Sequence, residues 1–155
     1  STDLVVLTNL APVAADLMRK AGLKVDMQSM DWQTLVSRRT KKDPPNAGGW
    51  NAFLTSWESA DILNPVMSGF MNSSCEKAMF GWPCDAEMEK LRDAFSKETD
   101  PVKQKAIAEA VQTRAMQVGT HIHLGQWYQP GAGRKDRIDG ILTTPAPVFW
   151  NVTKK

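Results

Sequence analysis

The stretch VVLTNLAPVAADLMRKAGLKVDM, Val5 to Met27, decides how the fold is read. VVLT at Val5 to Thr8 is short, apolar and β-branched, the pattern of a buried strand. Ala11-Pro12 then predicts a helix start, because a proline in the first turn gives up an N–H that has no partner there anyway. Val13, Leu17, Met18 and Ala21 fall on one face of that helix. Gly22 stands where a left-handed residue ends it. Leu23, Val25 and Met27 alternate with Lys24, Asp26 and Gln28, so a half-buried strand is expected next. Strand, helix, strand in this order implies a right-handed crossover between parallel strands, and the fold class expected is α/β.

Working outward, Asp31 is a predicted N-cap for a helix over DWQTLVSRRTKK in which Trp32, Leu35 and Val36 face inward. Its basic end, Arg38 to Lys42, suits the negative pole of the helix. DPPNAGG, Asp43 to Gly49, reads as a loop, and WNAFLTSW, Trp50 to Trp57, as a third strand. From there to Pro83 the chain carries no regular pattern, and long loops of this kind are commonly functional. Asp85 and Asp100-Pro101 open two further helices, the first with Met88, Leu91, Ala94 and Phe95 at helical spacing. The second carries Ile107, Val111, Ala115 and Val118 to a stop at Gly119. HIHLGQWYQ, His121 to Gln129, has an extended pattern, and a last short strand is expected around Val148 to Val152.

The totals exclude several classes. At 155 residues and 42% apolar the chain can build a core without metal. Nineteen basic against seventeen acidic side chains leave a net charge of +2, too little to argue for nucleic acid. No window approaches the roughly 18 apolar residues of a membrane span. The amino end lacks the layout of a secretory signal, which predicts a soluble chain, mature or a fragment. Cys75 and Cys84 lie in a loop, NSSCEKAMFGWPCD, that carries Gly, Pro, Asn and Ser. A disulfide there would contribute about 2.5–3 kcal/mol by the chain-entropy account and favour an oxidising compartment, and two unpaired, reduced cysteines are the alternative. The C-x8-C spacing does not suit zinc.

FLTSWESADILNPVM, Phe53 to Met67, places Trp57, Glu58 and Asp61 together before Asn64-Pro65 breaks regular structure. Three readings compete. A catalytic pair of carboxylates, as in a hydrolase using Glu58 and Asp61, needs a nucleophile or metal set beside it, and none is near in sequence. A solvated polar loop is the plain alternative. A ligand-facing loop has a physical case: an indole offers a flat apolar wall, and a carboxylate at its rim pairs with a cationic group. His121 and His123 share one face of an extended segment, but two imidazoles without a third ligand make no metal site. Trp32, Trp82 and Trp150 are assigned to packing.

The joint order of MRKAGLKVDMQSMDWQTLVSRR, the Gly49-Trp50 strand entry, WPCDAEMEKL, TDPVKQKAIAEAVQ, HLGQWYQPGAGR and GILTTPAPVFWNV covers nearly the whole chain. In it the chain resembles the carboxyl-terminal portion of extracellular solute-binding proteins of ABC transporters, of the peptide/nickel class. The resemblance implies one lobe of a type II periplasmic-binding-protein-like fold, a mixed sheet with flanking helices. Residues 1–130 would form the lobe and residues 131–155 a tail returning towards the other lobe.

It further implies a non-enzymatic, exported, periplasmic, monomeric protein that takes no cofactor and no nucleic acid. Its partners would be a small molecule or short peptide and the membrane permease of an ABC importer. Trp57, Glu58 and Asp61 would face the cleft. The resemblance sets an amine-binding aspartate three residues after a tryptophan. Here Asp61 stands four after Trp57 and position 60 is Ala, so the role falls to Asp61 or to Glu58. Gln126, Trp127 and Tyr128 would approach the crossover between lobes, where alternate side chains reach ligand. The rival without the resemblance is a protein-interaction domain that uses the loop 58–83.

Overall fold

The structure, a computed structural model, describes residues 1–128, 130–144 and 147–155. Gln129, the end of the expected extended segment, and Pro145 and Ala146 lie outside the described residues. Two compact units divide the chain, Ser1–Trp57 and Glu58–Lys155. Its content is helix-rich with a small two-stranded sheet.

The first unit opens with α1, Val5–Lys20. This corrects the expected strand at Val5 to Thr8. A strand's N–H and C=O groups need a neighbouring strand, and no described residue pairs with this segment. A helical ladder satisfies the same groups within the segment and buries Leu7. Pro12 consequently lies inside the helix rather than in its first turn. The buried face also differs from the one read from spacing: Leu7 and Ala15 point inward, while Val13 and Leu17 are exposed. The expected stop is present. Gly22 has φ +88°, its N–H donates to the Arg19 carbonyl at 2.9 Å, and the Leu23 N–H donates to that of Met18 at 3.0 Å. Those two bonds are the Schellman closure, which a left-handed residue permits.

Residues 23–27 and 50–57 adopt no regular element, where strands were expected. The mixed sheet they would have built is absent among the described residues, for the same reason: alternation specifies a face but supplies no pairing partner. The second helix, α2, Trp32–Arg38, starts as read, with the Asp31 carboxylate accepting the Thr34 N–H at 3.0 Å, but it ends at Arg38, short of the expected Lys42. Trp32, Leu35 and Val36 are half-buried on it. Arg38 closes the unit by donating from Nε to the Gly48 carbonyl at 3.1 Å and from Nη2 to that of Gly49 at 2.8 Å. Trp50 donates its indole N–H to the Arg39 carbonyl at 3.1 Å and meets Phe53 edge-on at 4.8 Å.

In the second unit a four-residue helix α3, Ser59–Ile62, is followed by irregular chain. Helices α4, Ala86–Lys97, and α5, Pro101–Val118, then pack on each other. Their caps are those read from sequence. Asp85 accepts the Met88 N–H at 2.8 Å, Asp100 accepts those of Val102 and Lys103, and Gly119 ends α5 with φ +69°. Met88, Val111 and Ala115 form the core between the two helices, with Met71 and Leu91 packed against them. Asp85 also receives Arg114 of α5 through both carboxylate oxygens, at 3.0 and 2.5 Å. That hydrogen bond, with the Met88 N–H behind it, holds the Asp85 carboxyl below the usual range and raises Arg114.

The sheet pairs β1, Ile138–Asp139, with β2, Thr153–Lys154, antiparallel. The last strand therefore sits after the predicted Val148 to Val152, and Trp150, expected to pack, is exposed. Residues 121–128 form no strand.

Cys75 and Cys84 are joined in a disulfide with Cα atoms 4.1 Å apart. Backbone bonds close the same loop, from the Cys75 N–H to the Pro83 carbonyl and from the Asp85 N–H to that of Ser73, each at 3.0 Å. The crosslink thus fixes the entry to α4. Replacing both cysteines by serine is expected to cost about 2.5–3 kcal/mol by the chain-entropy account. Urea unfolding of the oxidised chain and the double variant measures it, and coincident midpoints would contradict it.

Candidate functional site

The candidate residues sit where the two units meet in sequence and on the exposed segment after α5. Trp57, the last residue of the first unit, is 45% exposed, so its indole is not committed to a core. Glu58 precedes α3 as its N-cap residue without accepting a side-chain cap bond, and the Asp61 N–H donates to the Glu58 carbonyl at 3.1 Å. Both carboxylates are exposed, and among the described residues neither has an ion pair or a side-chain hydrogen bond. One turn of helix therefore presents two unneutralised acids directly after an accessible indole.

Gln126, Trp127 and Tyr128 are exposed on the segment after α5, Trp127 to 46% and Tyr128 to 83%. No hydrogen bond or ion pair joins them to Glu58 or Asp61 among the described residues. Open hollows mark the described surface. One, of about 460 Å³, is bordered in the first unit by Gln28, Arg38 and Lys41. Another, of about 250 Å³, is bordered in the second unit by Val66, Glu89, Arg92 and Asp93. None of the six candidate residues lines either hollow.

His121 is half-buried, with its ring centroid 5.1 Å from that of Phe70 and Nδ1 3.0 Å from the Thr120 hydroxyl. Burial first, and the like charge of His123 second, lower its pKa. A neutral ring tilted against a phenyl group is what that environment favours. Among the described residues no three His, Cys, Asp or Glu side chains cluster as a metal set. No helix among them is long and apolar enough to cross a membrane.

No protein-family model matches the chain. A probable peptide ABC transporter periplasmic-binding protein, y4tO of Sinorhizobium fredii, is 31% identical to it over 154 residues. The match takes in 99% of this chain. The chain is homologous to a portion of that binding protein. It spans 29% of the homologue's length, so less than a third of that protein has a counterpart here.

Against the homologue, the resemblance read from the helix and loop joints holds for nearly the whole chain. Spacing alone did not reveal the residues that tie down the chain after α3, Asn64, Glu89 and Arg92. The Asn64 side chain accepts the N–H groups of Val66 and Met67 at 2.8 and 3.2 Å, a turn that the Asn-Pro pair signals. Glu89 and Arg92 stand three apart on α4 and read as an ordinary surface pair. Their partners, 16 and 26 to 27 residues away in sequence, make them more than that.

Proposed function

We propose that this chain forms part of a substrate-binding protein that captures a small solute for import by an ABC transporter, without chemistry. The identity to a peptide periplasmic-binding protein along 99% of the chain carries the reading. On it, residues 1–130 belong to the carboxyl-terminal lobe of a type II binding-protein fold and residues 131–155 return towards the other lobe. The protein works as a monomer in the periplasm, and the permease recognises its ligand-closed form.

The solute is a short peptide or another compound with an amine. Trp57 provides an apolar wall and Glu58 or Asp61 pairs with the ammonium, while Gln126, Trp127 and Tyr128 supply further contacts. Exposed, unneutralised acids next to an accessible indole support this assignment. A single lobe leaves most of a ligand in water, so the 155-residue chain alone should bind poorly.

Calorimetry with tri-alanine and its N-acetylated form tests the reading. A full-length binding protein carrying this chain should bind tri-alanine and lose it on acetylation. Trp57→Ala should weaken binding by about 1–3 kcal/mol, the scale of a buried aromatic contact. Equal affinity for both peptides would reject the amine anchor, and unchanged affinity in Trp57→Ala would remove the indole from the site. Micromolar binding by the 155-residue chain alone would contradict the shared cleft.

A further inference from the structure

Helix α3 is a single turn whose residues are exposed apart from half-buried Ile62, so burial does little to hold it. The chain beyond it is tied down by polar contacts instead. At Asn64 it turns back on itself. The side chain takes the N–H groups of Val66 and Met67, and the main-chain carbonyl takes that of Ser68 at 2.9 Å. With those donors turned inward, the carbonyls of Pro65 and Val66 are left to other partners, and Arg92 supplies both. Its Nε donates to the Pro65 oxygen at 3.0 Å and its Nη2 to that of Val66 at 2.9 Å. The remaining corner, Nη1, donates to both oxygens of Glu89 at 2.7 and 2.8 Å. Glu89 in turn accepts the Ser73 N–H at 2.7 Å.

The Arg92 side chain is only 11% exposed in this arrangement. A guanidinium so little exposed needs a counter-ion and filled donors, and Glu89 with two carbonyls meets both needs. The geometry is specific to arginine. One planar fork reaches two consecutive carbonyls and a carboxylate together, which the single nitrogen of lysine cannot reproduce.

We propose that Arg92 is the positioning residue for the segment that carries Glu58 and Asp61, holding the chain three residues beyond α3 to the rigid α4–α5 pair. The proposal rests on the reading of Glu58 and Asp61 as ligand contacts, and it makes α4 the platform from which those carboxylates are presented. Glu89 orients the guanidinium and joins the same platform to Ser73, beside the disulfide loop.

Hydrogen exchange on the 155-residue chain tests the tether without any ligand. In Arg92→Lys the amides of Val66, Met67 and Ser68 should exchange about tenfold faster or more, the equivalent of one lost charge-assisted hydrogen bond. The amides of Val111 and Ala115 on α5 should keep their protection. Unchanged exchange at 66–68 would overturn the tether, and equal acceleration on α5 would reduce Arg92 to a general stabiliser. Glu89→Gln, which keeps the carbonyl fork, should loosen Ser73 more than 66–68, and the reverse order would overturn the division of roles.

Tri-alanine affinity of the full-length protein supplies the functional arm. Arg92→Lys should weaken it, and loosening at 66–68 without weaker binding, while Trp57→Ala does weaken it, would overturn the positioning role. Loss at neither Arg92→Lys nor Trp57→Ala would instead strike the ligand reading, with the exchange result still supporting the tether.

Discussion

Met88→Ala should destabilise the second unit by about 2–5 kcal/mol, the range for truncating a fully buried methionine. Met88 has no exposed surface and lies against Val111 and Ala115, with Met71 and Leu91 around them. Few of the described residues are fully buried, so the α4–α5 contact has little other apolar burial to make up the loss. Typical domain stabilities of about 5–15 kcal/mol make this a large fraction of the total. Met116→Ala is the control, because that side chain is 85% exposed on α5 and its loss should stay within about 0.5 kcal/mol. Urea unfolding followed by helical circular dichroism reads both. Equal losses at the two positions would mean that the core does not lie between α4 and α5.

Gly49→Ala should cost about 3 kcal/mol or more, at the top of the range for overfilling a packed site. A Cβ on Gly49 would stand 1.6 Å from the Asp43 carbonyl oxygen and 2.6 Å from its carbon, so backbone rather than a flexible side chain must move. Opening the 43–49 turn would also pull the Gly48 and Gly49 carbonyls from Arg38, which ties that turn to α2. Gly22→Ala separates sterics from conformation. Its φ of +88° is costly for alanine, yet a Cβ there meets nothing within 4 Å, so about 1–2 kcal/mol is expected. Thermal unfolding of the two variants, with Gly22→Ala equal to or worse than Gly49→Ala, would show that the turn has room the packing denies.

The legible parts of this chain are those whose hydrogen bonds close within a few residues. Asp31, Asp85 and Asp100 were readable as caps because each carboxylate accepts an N–H two or three positions on. Gly22 and Gly119 were readable as stops because the left-handed turn forms over the last turn of its own helix. The disulfide followed from two cysteines facing each other across a short, turn-rich loop. Of the candidate site, the adjacency of an indole and two acids was legible, since Trp57, Glu58 and Asp61 are neighbours in the chain, whereas their exposure came from the structure.

Strands were not legible. VVLT has the residues of a strand and lies in a helix, and the alternation of residues 23–27 has no partner among the described residues. Periodicity names the face a segment would bury but carries nothing about what lies across from it. The same gap misplaced the buried side of α1, where Leu7 and Ala15 displaced Val13 and Leu17.

By itself, then, the order of amino acids determined the caps at Asp31, Asp85 and Asp100, the stops at Gly22 and Gly119 and which cysteines join, because those are contacts between near neighbours. Only the tertiary structure decided which segments go unpaired, which side chains are buried and that Arg92 grips the chain at Pro65 and Val66. Such contacts depend on residues far apart in sequence, and their geometry exists only once the intervening loops have closed.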